Sequence, residues 1–390
     1  MYTVENRKEY PLQMDYSDFG TRITELLRQT GNRKIVYIAT EFNNSTFRYR
    51  FYNFRQTLLS SRKFDLVCFE TWEIPQILPY IRFISLFVMQ RTEMDNNVNN
   101  LLALSRHYSI PVAYDVDDLI YNPNFVLSYV NNLGWKVVGR DTIKHLYGMS
   151  IGHWLVAKEC DCSICTTPDL KDHLSEDFQR PVYIVPNYYN QEQELCSEEA
   201  LRARTYRPES FCIGYFSGSP SHQNDFNLCQ DALAQLMTRY PDVTLKIVGF
   251  MSLRGKLKQF HQLGRVEIRP LCSYQELQYE IAGVDVNIAP LVRYPFNACK
   301  SELKFFEAGL VKVPSVVSKI GVYPDIIDPW KNGVLCDESE WFDSLEKLYL
   351  QPDLRHTIAE NAHSYAVEHY RYDRFLLPLE ELFEQILRLR

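Results

Sequence analysis

Residues 285–333 read DVNIAPLVRYPFNACKSELKFFEAGLVKVPSVVSKIGVYPDIIDPWKNG, and the fold is decided here. The stretch opens on DVNIAP, an apolar run without alternation, as expected of a strand covered on both faces. The loop LVRYPFNACK then delivers the chain into a helix starting near Ser301, and PSVVS at 314–318 reads as the next strand. Strand, helix and strand in this order build a parallel sheet. The first turn of such a helix presents unpaired N–H groups and a partial positive charge, which suits a phosphate. Lys300 adds a full charge at the entrance. Lys300, Lys304 and Glu307, spaced by four and then three, share one helix face beside the apolar stripe of Leu303, Phe306 and Leu310. A pyrophosphate at the helix start with a ribose diol at Glu307 fits that spacing. An ordinary solvated helix face fits it too.

The same alternation extends upstream. CIGYFSG (212–218), TLKIVG (244–249) and RVEIRP (265–270) precede the stretch, with helices over 225–238 and near 274–282. Further back, KIVYIAT (34–40), DLVCFE (65–70), SLFVMQ (85–90), PVAYDV (111–116), CSICTT (162–167) and VYIVPN (182–187) form a separate series. Residues 191–208 between them are polar and charged. A chain of 390 residues has the length of two domains. The expected fold is therefore α/β, with two Rossmann-like domains facing a cleft. Its parts are an N-terminal domain over 1–190, a linker over 191–208, a C-terminal domain over 209–370, and a helix over 371–390 returning to the N-terminal domain. Ligands of open parallel sheets bind beyond the carboxyl ends of the strands, so those loops are where chemistry is expected.

Composition narrows the class. Lys and Arg number 42 against 49 Asp and Glu, a net charge of −7, without the basic excess of a nucleic-acid binder. The opening MYTVENRKEY lacks the apolar core of a secretory signal, and FISLFVM (83–89) is too short to span a membrane. Of the 10 cysteines only Cys160, Cys162 and Cys165 cluster, and a zinc site would need a fourth ligand. No metal site and no cofactor are expected.

In GYFSGSPSHQNDF (214–226), Gly218 and Ser219 allow close backbone approach to a ligand, and His222 either binds phosphate or caps a turn. With the 285–333 run, this segment resembles the C-terminal half of the retaining GT-B glycosyltransferases of family 4. The resemblance rests on a strand ending in proline, a loop and helix carrying a glutamate, and the strand in VPSVVS. It implies that Glu307 binds the donor ribose, that the Arg269–Leu271 turn passes near the base, and that Gly218, Ser219, His222 and Ser301 lie along the donor phosphates. The family's first motif glutamate falls at Cys299 in this chain. The variant Phe296–Glu307 is similar to a branch of capsule, O-antigen and S-layer glycan transferases, in which Asn297, Lys300 and Lys304 would take over polar contacts.

In the N-terminal half, TFRYRFYNF (46–54) follows the first strand and offers Arg48, Tyr49 and Arg50; Arg91 follows SLFVMQ. YDVDDLIY (114–121) places Asp115, Asp117 and Asp118 at another strand end, where a metal-binding D-x-D is the competing reading. Tyr49, Arg50, Arg91 and Asp118 are the acceptor-binding candidates, and Asp117 and Lys300 the catalytic ones. The resemblance implies metal-independent, retaining transfer of a hexose or deoxyhexose from a nucleoside-diphosphate sugar to a growing surface glycan or lipid-linked saccharide. The expected location is the cytoplasm, with peripheral association at the inner face of the plasma membrane left open. A GT-B epimerase and a non-catalytic glycan-binding partner are the alternatives.

Overall fold

The computed structural model describes residues 3–4, 18–42, 44–132, 139–205, 210–218 and 222–390. Six strands build the N-terminal sheet: β1 (Arg33–Ala39), β2 (Phe64–Glu70), β3 (Ile84–Gln90), β4 (Val112–Asp115), β5 (Cys162–Cys165) and β6 (Val182–Ile184). All are parallel, in the order β2-β1-β3-β4-β5-β6. The second sheet holds β7 (Phe211–Ser217), β8 (Val243–Gly249), β9 (Val266–Arg269), β10 (Val286–Ala289), β11 (Ser315–Ser318) and β12 (Val334–Cys336). These are parallel in the order β9-β8-β7-β10-β11-β12. Central strands such as β7 and β10 are buried along their whole length, which is why their sequences run apolar without alternation. Chain order reverses between β1 and β3 in one sheet and between β7 and β10 in the other. Such switch points open a crevice at the carboxyl edge of a sheet. Here the two crevices face each other.

The stretch expected to be a linker is mostly helix. Helix α1 (Gln191–Arg202) is capped by the Asn190 side chain and buries Gln193, Cys196, Ser197 and Ala200. Those residues recur at helical spacing, but they are small or polar, so no apolar stripe announces the face. Ser197 donates to Gln278 Oε1 at 2.9 Å, which ties α1 to the C-terminal domain. That domain also contains α2 (Gln223–Arg239), α3 (Tyr274–Ala282) and α4 (Leu303–Leu310). A helix over Trp341–Leu350 stays with the second sheet, where Trp341, Leu345 and Leu348 share a core with Val316 and Val334.

Two helices close the chain, α5 (Pro352–Tyr370) and α6 (Leu376–Leu387). The latter lies on the N-terminal sheet: Leu379, Leu382, Phe383 and Ile386 pack with Leu58, Phe64 and Leu66. Ser61 Oγ donates to Glu380 at 2.6 Å. The same apolar cluster takes in Phe306 and Leu310 of α4, while Phe296 and Cys299 join Val116, Leu119 and Tyr121 in another. The domains therefore touch directly across the cleft. Among the described residues, no helix is long and apolar enough to cross a membrane.

Candidate active site

The candidate residues cluster where the two crevices meet. Beyond β10 the chain makes a short helix, Pro295–Ala298, before α4 begins at Leu303, two residues later than the sequence reading placed it. Lys300 sits in the intervening turn. Its Nζ lies 4.7 Å from the centre of the Phe296 ring and 3.6 Å from Asp118 Oδ1, on the opposite domain. Lys304 donates to the Phe216 carbonyl at the end of β7 and lies 4.8 Å from the Tyr215 ring centre. Burial and the nearby Lys300 charge bring the Lys304 ammonium down to about 8. Two lysines lie this close to the helix start, and among the described residues no carboxylate forms an ion pair with Lys304.

Asp118 and Asp117 share one cation. Arg91, directly after β3, reaches Asp118 Oδ2 at 2.7 Å and also pairs with Asp117. Its backbone is left-handed at φ 43° and is held by the bond from its N–H to the Asp115 carbonyl at 3.0 Å. Asp117 Oδ2 accepts from Thr46 at 3.0 Å, so both of its oxygens are engaged. Each oxygen accepts one bond and keeps a second lone pair, so these contacts orient Asp117 without removing it as a candidate base. Burial works to raise the Asp118 carboxyl, but Lys300 and Arg91 outweigh it and hold the group below the usual range.

Two of the acceptor assignments do not survive the geometry. Arg50 is fully buried; its Nε meets Asp115 Oδ1 at 2.9 Å and its Nη1 meets the Val185 carbonyl at 2.7 Å. It braces the sheet and is closed to any acceptor. Burial carries the Asp115 carboxyl up to about 6, even with Arg50 beside it. Tyr49, 1% exposed, donates to Glu307 Oε1 at 2.6 Å, so its hydroxyl is turned to the C-terminal domain and closed to an acceptor.

The donor residues divide similarly. Glu307 is 7% exposed, mostly covered from the N-terminal side by Arg48 and Tyr49. Ser301 Oγ accepts from Asn187 Nδ2 at 3.0 Å, another contact between the domains. Asn297 is buried, its amide nitrogen donating to Asp225 Oδ1 at 2.8 Å and the Val292 carbonyl at 2.9 Å, so it ties the loop to α2. His222 Nδ1 lies 2.9 Å from Asp225 Oδ2. Burial, with Lys300 and Lys304 nearby, brings the imidazole to about 4, so at neutral pH it is uncharged, with its one N–H given to Asp225 and only a lone pair left on Nε2. Arg269 lies at the end of β9, engaged by Glu267 at 2.6 Å and Glu280 at 2.8 Å. Gly218 is exposed, with open space where a side chain would begin. Ser219 lies outside the described residues.

Cys299 is buried among N-terminal core residues, and its carbonyl accepts from Thr167 Oγ1 at 3.1 Å. The position of the missing glutamate is thus part of the domain contact. Two glycines escaped the sequence reading. Gly249, at φ 104° as the last residue of β8, has no room for a Cβ against the Ser217 carbonyl, and Gly321, at φ 57°, has none against the Ala298 carbonyl. Both let loops crowd the strand ends beside the site. The strand-final glycine of TLKIVG was the available signal.

Two Rossmann-like domains whose strand ends face one another, with charged residues from both meeting between them, define the GT-B architecture. Residues 210–351, most of the C-terminal domain, match the family model described as "Glycosyl transferases group 1". The D-inositol 3-phosphate glycosyltransferase of Corynebacterium jeikeium (strain K411) is 29% identical over 165 residues, 40% of this chain and 39% of that protein. The match thus spans well under half of that relative's length. Among solved structures, Anabaena Alr3699/HepE in complex with UDP and glucose superposes with a TM-score of 0.61 at 15% identity, over 91% of this chain and 100% of that one. Sucrose-phosphate synthase (tll1590) from Thermosynechococcus elongatus gives 0.62 at 14%, over 92% and 100%. At these identities the likeness carries the fold.

Proposed function

We propose that this chain is a glycosyltransferase that moves a sugar from a nucleoside-diphosphate donor to a hydroxyl of a growing surface glycan or lipid-linked saccharide. One observation carries the reading. The group 1 match over 210–351 falls on the domain whose strand ends bring Lys300, Lys304 and Glu307 to the cleft. In this reading the diphosphate lies at the start of α4 between the two lysines, and Glu307 takes the ribose. As the sugar leaves, charge grows on the diphosphate. Lys300 and the helix N–H groups stabilise it without a bound cation. Asp118 and Arg91 face Lys300 from the N-terminal domain, on the side from which an acceptor would approach. Retention of configuration rests on the family resemblance. The solved relative holding UDP makes uridine the first base to try.

A thermal-shift series with UDP, GDP and dTDP tests the reading. A ligand that binds only the folded state stabilises it, by about 2.7 kcal/mol at a hundredfold excess over Kd. One of the three should raise the midpoint, and its sugar conjugate should be slowly hydrolysed without acceptor. If none shifts the midpoint, the glycosyltransferase reading fails and a non-catalytic partner takes its place.

A further inference from the structure

Glu307 belongs to the C-terminal domain, yet its neighbours at the carboxylate come from the N-terminal one. Tyr49 and Arg48 Nη2 both donate to Oε1, at 2.6 and 3.3 Å, and neither contact uses Oε2. A buried ion pair built for stability uses both oxygens, because a guanidinium fork matches a carboxylate fork. This chain contains such a pair. Arg22 meets Glu73 with Nη1 on Oε2 at 2.6 Å and Nη2 on Oε1 at 2.7 Å, equally buried. The pair at Glu307 departs from that pattern. Arg48 is 4% exposed, and its Nε and Nη1 are buried without a hydrogen-bond partner. Its guanidinium is clamped 4.2 Å from the Tyr49 ring centre and 4.4 Å from that of Tyr274, the first residue of α3. Leaving donors of a buried cation unmet is costly and calls for a reason beyond stability.

Local structure supplies a second observation. Arg48–Tyr52 form a π-helical turn between the α-helical pieces Ser45–Phe47 and Asn53–Leu58. Consecutive side chains on an α-helix diverge by about 100°. The wider π turn lets Arg48 and Tyr49 converge on one oxygen, and such turns concentrate at functional sites. Burial holds the Tyr49 hydroxyl well above its ordinary range, so it remains a donor.

We infer that Arg48 and Tyr49 are positioning residues for ribose recognition: they pin Oε1 of Glu307 and present Oε2 to a nucleotide hydroxyl. Ribose selection then depends on the N-terminal domain being closed over the C-terminal one. The inference rests on the proposed donor role of Glu307.

The test compares UDP and GDP with their 2′-deoxy forms, using the full chain and its Tyr49→Phe, Arg48→Lys and Glu307→Gln variants. The unaltered protein should prefer the ribonucleotide. Tyr49→Phe, which keeps the ring, should cut that preference about tenfold, the scale of one hydrogen bond to a charged group. Affinity for the deoxy form should hardly change, and in sugar transfer the effect should fall on donor KM rather than kcat. Arg48→Lys should act in the same direction. Equal weakening of both nucleotide forms in Tyr49→Phe, or no change in either, overturns the inference. If Glu307→Gln leaves nucleotide affinity untouched, or the unaltered protein binds both forms equally, the donor reading itself falls.

Discussion

Lys300 is the residue on which the proposed chemistry leans hardest. Its ammonium stands between the Phe296 ring and Asp118, at the one turn that separates two helices. Lys300→Ala should lower kcat by about 10²–10³, the scale for losing a preorganised donor to a developing oxyanion, with a smaller loss of donor affinity. Near-full kcat in a sugar-transfer assay would move the phosphate elsewhere. Glu302, two positions on, was not anticipated. It is 3% exposed with Oε2 unpartnered, and burial carries its carboxyl up to about 7. Between its ordinary value near 4.5 and that raised one, the folded state keeps a proton the unfolded state has lost. Stability from this group therefore falls as pH rises through the window. Glu302→Gln should raise Tm on the order of a few °C at pH 8 and leave it unchanged near pH 4. An equal shift at both values would rule out the titration. Lys304 and Glu307 lie on one face of α4 as their spacing predicted, whereas Lys300 lies in the turn before that helix and not on it. Arg50 with Asp115, 65 positions apart, was not legible, because only the folded sheet brings them together.

Helices and strands were legible to the extent that burial is two-sided and long. The apolar runs of β1, β3, β7 and β10 announced themselves. β12 did not, because three residues, Val334–Cys336, are too few for any period. The helix inside the expected linker, α1, was not legible because its buried face is made of Gln193, Cys196, Ser197 and Ala200. α6 belongs to the opposite case, with an apolar stripe that needs a partner. Its Phe383 ring meets Phe64 edge-on, with centroids 5.7 Å apart. Phe383→Ala should cost roughly 3–5 kcal/mol, the range for emptying a buried aromatic site. Denaturant unfolding followed by proteolysis should show the loss in the N-terminal domain, with residues 210–351 resisting as before. Simultaneous weakening of both domains would mean that α6 serves the whole molecule.

Across the whole molecule, the cleft is held by pairs that reach from one domain to the other: Arg48 with Glu307, Asp118 with Lys300, Asn187 with Ser301, Thr167 with Cys299. Asp117 and Asp118 already have Arg91 as their cation, and the proposed phosphate site has two lysines. Sugar transfer should accordingly persist in EDTA. Abolition by chelator, with rescue by Mg²⁺ or Mn²⁺, would make the two aspartates metal ligands instead. The position of α6 has a consequence for biosynthesis. The N-terminal sheet leaves the ribosome before the second sheet, but the helix that covers Phe64 and Leu66 leaves after both. The C-terminal sheet, contiguous in sequence, meets nearly all its core partners as it emerges. The half made second can therefore finish folding first, while the half made first waits with an apolar face uncovered, exposed to chaperones and proteases until α6 has emerged.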